Sequence, residues 1–110
     1  MYNNDYWEEW SYHIWIIVET CKDKWISRPR VKPLDWPDIN INFPRELREK
    51  YPIWTRFEVD VKVCKKPNQS LYLYSYRETI KVVEWYKPRK RIFAEKQNTI
   101  SDRVYRYIEI

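Results

Sequence analysis

Tyr72, Tyr74 and Tyr76 occupy alternate positions of one segment, with Lys65 and Lys66 just before it and Lys87, Arg89, Lys90 and Arg91 following it. Alternation places the three rings on one side of a strand, because successive side chains of an extended chain point to opposite faces. Exposed rings of this kind stack on nucleobases, while neighbouring lysine and arginine side chains neutralise phosphates. These residues are therefore the candidate binding set for a single strand of DNA or RNA. A competing reading makes the tyrosines half-core residues whose hydroxyls reach water.

The charge distribution points the same way. Residues 1–60 hold nine Lys/Arg against eleven Asp/Glu, and residues 61–110 hold twelve against five, for a net charge of +5. A basic half joined to an acidic half implies a directional field and a polyanionic partner. The plainer reading of Lys87–Arg91 is a solvated loop.

Other chemistries find less material. The 110 residues include no glycine, so a P-loop, a dinucleotide fingerprint and a G-x-S-x-G nucleophile turn are excluded. His13 is the single histidine and lies in an apolar segment, where a structural imidazole is expected. Cys21 and Cys64 form no C-x-x-C and no Cys/His cluster, so no zinc site is expected; two reduced thiols are the favoured reading, with a disulfide between these strand ends as the alternative. Asp35 and Asp38 bracket Trp36-Pro37 as turn residues. No nucleophilic triad follows from spacing, and no cofactor is expected. The longest apolar run, Ile14–Val18, is too short to cross a membrane. Asp5, Glu8 and Glu9 near the start do not fit a signal peptide, so a cytoplasmic protein without membrane contact is expected.

One short pattern carries a catalytic alternative. Asp60-Val61-Lys62 falls on a strand, and Pro37-Asp38 precedes it in the chain. This resembles the PD-(D/E)xK nucleases. The resemblance implies Asp38 and Asp60 as metal ligands and Lys62 as the lysine that positions the attacking water.

The elements that must position these side chains are mostly strands. Residues 12–20 are β-branched and aromatic, and the proline-rich stretch Arg28–Pro37 is an extended loop or an irregular sheet edge. Ile39, Ile41 and Phe43 alternate with Asp38, Asn40 and Asn42 in a short half-buried strand. Pro44 to Lys50 is the one helix expected, with Pro44 in its first turn and Pro52 beyond its end. Phe57, Val59, Val61 and Val63 make one face of the clearest strand, leaving Glu58, Asp60 and Lys62 on the other. Leu71–Tyr76 returns from it as a hairpin, Thr79–Tyr86 continues, and Arg103–Ile110 closes the chain.

The hairpin loop decides which way the tyrosines point. A three-residue loop, Pro67-Asn68-Gln69, with Gln69 left-handed, sets Lys66 opposite Ser70 and puts Leu71 and Leu73 on the valine face. The tyrosines then stand outside, whereas a loop one residue shorter or longer buries them. The continuous run from Leu71 to Tyr86 argues for burial, unless a bulge near Ser75–Glu78 interrupts it.

Five or six strands and one helix in a single domain, 1–110, predict a mainly β fold: a small, partly open or closed β-barrel. In strand count and composition it is similar to OB-fold and SH3-like barrels. The expected function is a basic nucleic-acid-binding module. The alternative is a protein-interaction module, a homo-oligomer through exposed aromatics included, and the metal-dependent nuclease comes third. The missing glycines add a structural expectation. Gln69, at a turn, and Trp25, Trp54 and Trp85, where strands begin or end, are read as former glycine positions in a sequence altered away from glycine, with φ above zero.

Overall fold

The computed structural model describes residues 6–22, 29–87, 90–96 and 105–110. Eight strands and one short helix follow in the order β1 (Tyr12–Lys22), β2 (Pro29–Pro33), β3 (Asn40–Asn42), α1 (Arg45–Lys50), β4 (Arg56–Lys65), β5 (Leu71–Ser75), β6 (Lys81–Lys87), β7 (Lys90–Lys96) and β8 (Tyr105–Glu109). They form one sheet whose main path runs β2-β1-β4-β6-β7-β8, while β5 pairs with β4 and β3 pairs with β5. All neighbours are antiparallel except β3 and β5, which are parallel.

Mainly β with one short helix is what the sequence predicts, but the sheet is not closed. Strands β2 and β8 end the ladder, and among the described residues no pairing joins them. The strand count also exceeds the expected five or six. One addition is β2, the proline-rich stretch, where Pro29 and Pro33 pair with Lys22 and Val18 on an outer strand. An outer strand tolerates residues that cannot donate to a further ladder. The other is β7, which pairs antiparallel with β6 and buries Ile92.

The core gathers on the face that the valine alternation marks. Phe57, Val59, Val61 and Val63 are at most 1% exposed and pack with Val18, Val31, Ile39, Phe43, Leu73 and Trp7. Helix α1 follows its capping residue Pro44 and lays Leu47 against this cluster. Trp7 lies before the first strand, yet it is 1% exposed and its indole N–H donates to the Trp36 carbonyl at 3.1 Å.

The β4–β5 hairpin takes the register that exposes the tyrosines. Lys65 stands opposite Leu71 and Val63 opposite Leu73, as the three-residue loop requires. The left-handed residue, however, is Asn68 (φ 59°) and not Gln69. Gln69 N–H donates to the Lys66 carbonyl at 3.1 Å, so Pro67 and Asn68 are the central residues of a type II turn. Asn tolerates that region better than Gln because its short polar side chain bonds locally. Replacing Asn68 by Val should cost about 1–2 kcal/mol, read by urea denaturation, while Asn68→Gly should be neutral or stabilising.

After Ser75 the chain leaves β4 through a single 3-10 turn, Arg77–Thr79, and rejoins it as β6 at the opposite end. Asp60 N–H donates to the Thr79 hydroxyl at 2.9 Å, and Tyr76 N–H donates to the Asp60 carbonyl at 2.9 Å. This interruption lets the tyrosines face outward while Ile80 and Val82 pack on the core. Cys21 and Cys64 lie at opposite ends of the β1–β4 pair and are not joined in a disulfide.

Candidate functional site

Strand register brings residues from four separate segments into one rank across the outer face. Tyr12 of β1 is opposite Lys62 of β4, Lys62 is opposite Tyr74 of β5, and Tyr74 is opposite Asn42 of β3. A second rank holds Cys64, Tyr72 and Asn40. Paired residues share a face, so the core alternation of Ile41, Val61, Val63 and Leu73 dictates the outward set. Four strands at about 4.8 Å spacing give a platform about 14 Å wide.

Its rings are accessible. Tyr12 is 63% exposed and Tyr74 46%, while Tyr72 and Tyr76 are half-buried. Tyr12 and Tyr76 stack with centroids 6.1 Å apart, and Tyr76 meets Tyr74 edge-on at 5.3 Å. The Lys62 ammonium lies 5.1 Å from the centre of the Tyr12 ring and 5.6 Å from that of Trp10, and Lys66 covers Tyr72 at 5.5 Å. Lysines held above ring faces keep their charge in water while their stems cover apolar surface. Lys65 and Lys66 are exposed at the turn that borders this platform.

The phenols of Tyr12 and Tyr76 are linked. The bond donated by the Tyr76 hydroxyl holds Tyr12 below the ordinary tyrosine value, and Lys62 lowers it further. Tyr76 is pushed up to about 12, first by the same bond and then by burial. An ultraviolet titration of phenolate should therefore show one phenol ionising early and one near 12. In the Tyr12→Phe variant the late transition should move back toward the ordinary range, because its main cause is removed.

The acids expected on this face are drawn away from it. Glu58 was expected to face solvent, but it is 2% exposed and accepts a bond from the Tyr105 hydroxyl of β8. That contact requires the sheet to curl, since β6 and β7 separate β4 from β8. Asp60 is half-buried, and its carboxylate accepts the Trp15 N–H at 3.0 Å. Glu8 and Glu9 remain exposed beside the Trp10 end of the platform.

The second basic cluster is placed elsewhere. Strand β6 runs outward past Arg56, the end of β4 remote from Lys65, so Lys90 and Arg91 are separated from Lys65 and Lys66 by more than the length of β4, about 30 Å. Lys90 pairs with Glu109 at 3.2 Å and Arg91 with Glu84 at 2.5 Å. Lys87 ends β6, and Arg89 and Arg103 lie outside the described residues. The structure thus brings Lys65, Lys66, Tyr72, Tyr74 and Tyr76 together and sets Lys90 and Arg91 apart.

The nuclease pattern does not assemble a recognisable metal centre. Asp60 is engaged by the β1 backbone, Lys62 covers aromatic rings, and Asp38 is exposed in the loop before β3. Among the described residues no group of three or more His, Cys, Asp or Glu side chains is placed to hold a metal ion. His13 packs against Trp7 and Tyr6, and burial lowers its pKa. Among the described residues no helix is long and apolar enough to cross a membrane.

Sequence reasoning missed Tyr12, Asn40 and Asn42 as members of the site and weighed Lys62 only as a nuclease residue. The polar phase of the Ile39–Phe43 alternation is visible in the sequence, but nothing local says that it lies beside Tyr72 and Tyr74. Comparison with protein-family models, with curated proteins and with solved structures finds no match. The reading of this face accordingly rests on its geometry.

Proposed function

We propose that the outer face of β1, β4, β5 and β3 binds single-stranded nucleic acid. The observation that carries this reading is the rank Tyr12–Lys62–Tyr74–Asn42, which alternates ring, cation, ring and amide across four adjacent strands. Each component has a job in such a complex. Tyr12 and Tyr74 offer exposed faces for stacking, Lys62, Lys65 and Lys66 meet phosphates, and the amides of Asn40 and Asn42 offer donors and acceptors to base edges. Arg30 already donates to the Asn40 side-chain oxygen at 2.6 Å, which orients that amide. Aromatic side chains on sheets of this width typically stack roughly two or three bases. Withdrawal of Glu58 and Asp60 into protein contacts lowers the repulsion that a phosphate chain would otherwise meet.

Fluorescence anisotropy with labelled single-stranded DNA and RNA, repeated over a salt series, tests the proposal. Three lysine contacts predict a slope of about −2 in log affinity against log salt, at ~0.7 per contact. Lys65→Gln with Lys66→Gln should flatten that slope by about 1.4, whereas Lys90→Gln with Arg91→Gln should leave it unchanged. Failure to bind either nucleic acid at low salt would reject the reading. An equal effect of the two pairs would relocate the site.

A further inference from the structure

Five described residues have positive φ, and four of them are tryptophan: Trp10 (66°), Trp15 (57°), Trp36 (55°) and Trp54 (76°), with Asn68 as the fifth. A bulky side chain in this region is an outlier, because its Cβ crowds the adjoining carbonyl. The local geometry explains why three of these tryptophan positions, 10, 15 and 54, need a left-handed residue, while position 36 is identified by its φ alone. Trp10 is the third residue of a turn closed by Ser11 N–H on the Glu8 carbonyl at 3.0 Å. Trp54 is the third residue of one closed by Thr55 N–H on the Pro52 carbonyl at 3.3 Å. Asn68 holds the same place in the hairpin loop, and in all three the preceding residue keeps an ordinary φ. That combination is the type II turn, whose third position calls for Gly or Asn.

Trp15 sits in a bulge. Ile14 and Trp15 together oppose Asp60, between the pairs His13–Val61 and Ile16–Val59. A bulge with one residue left-handed is the kind that takes glycine there. All four indoles are 45% to 60% exposed, so burial of the ring does not offset the strained backbone. Trp7 and Trp85 behave differently. Trp7 is buried, Trp85 packs between Tyr51 and Tyr107, and neither has a positive φ.

Composition supplies an independent observation. The chain has seven tryptophans and no glycine, where an average usage of about 7% predicts roughly eight glycines. We infer that positions 10, 15, 36 and 54 are glycine positions of this fold. The protein in its natural source carries glycine there, encoded by UGA, a codon that variant genetic codes assign either to tryptophan or to glycine. Trp54 fits the glycine expectation drawn from the sequence. Gln69 and Trp85 do not, and Trp25 lies outside the described residues. The inference is independent of the nucleic-acid reading.

Two measurements decide it. The gene should carry UGA at the four positions, and tandem mass spectrometry of the protein from its natural source should read glycine at each. UGG codons, or tryptophan in those peptides, would overturn the inference. In the recombinant chain, Trp10→Gly, Trp15→Gly, Trp36→Gly and Trp54→Gly should each raise the folding equilibrium constant roughly 2- to 10-fold, after allowing for the extra freedom of glycine in the unfolded chain. Alanine at the same positions should give less, because it keeps the Cβ. Trp85→Gly should lower the constant. Glycine variants that are less stable than the parent, or no better than alanine, would contradict the assignment even if the parent folds poorly.

Discussion

A chain carrying Tyr12→Ala and Tyr74→Ala should bind a single-stranded oligonucleotide at least ~30-fold more weakly than the parent, since each stacked ring contributes roughly 5- to 150-fold. These two rings are the most exposed of the four tyrosines on the platform, and they flank Lys62 from both sides. Their removal leaves the core alternation of β4 and β5 untouched, so circular dichroism and the urea midpoint should change little. Tyr12→Phe with Tyr74→Phe keeps the faces and should retain most of the affinity. Anisotropy at one fixed salt concentration is the measurement. Equal loss in the phenylalanine pair would assign the effect to the hydroxyls, and unchanged affinity in the alanine pair would remove stacking from the mechanism.

The second large effect concerns stability. Trp7→Ala should cost about 3–5 kcal/mol, a substantial part of the 5–15 kcal/mol typical of a small domain. The residue precedes the first strand, but it is buried in the main core cluster, and its ring meets Tyr6 at 4.5 Å and His13 at 4.8 Å. Alanine would leave a cavity in that cluster. Trp7→Phe should lose less, about 1 kcal/mol for the indole bond to Trp36 plus a packing difference. Leu34→Ala, at an exposed position, is a control expected within about 0.5 kcal/mol of the parent. Equilibrium urea denaturation reads all three. A midpoint unchanged in Trp7→Ala would mean that the segment before β1 does not close the core.

How far each of these sites was legible differs residue by residue. Period-two alternation in Phe57–Val63 identifies the core face of β4, whereas the Pro67-Asn68-Gln69 loop admits more than one hairpin register, and its left-handed residue is Asn68 in place of the expected Gln69. Pro44 and Pro52 bracket α1 for local reasons of backbone geometry. Three features were not legible. The burial of Glu58 depends on β8 curling over the outer face, a contact across 47 positions of chain. The burial of Trp7 depends on a segment with no periodicity at all. The separation of the two basic clusters depends on β5 and β6 using different ends of the same edge of β4.

The tryptophans illustrate the same division. Composition shows that glycine is missing, but only backbone angles reveal which positions require it. Of Gln69, Trp54 and Trp85, the described residues picked out in advance, Trp54 has the left-handed conformation, while Trp10 joins it in a turn, Trp15 in a bulge, and Trp36 in the loop after β2. A bulge exists only where two strands meet, so one strand's sequence cannot announce it.

By itself, then, the sequence determined the mainly β class, the exclusion of glycine-loop chemistry and the valine core face. Each of these follows from local rules: chain length, residue type and a side-chain period of two. Tertiary structure alone decided that Tyr12, Lys62 and Asn42 share a rank with Tyr74, that Lys90 and Arg91 do not, and that the sheet stays open. These depend on strand order and register between segments 12 to 50 positions apart. Such pairing is selected by burial of the whole core, which no single segment encodes.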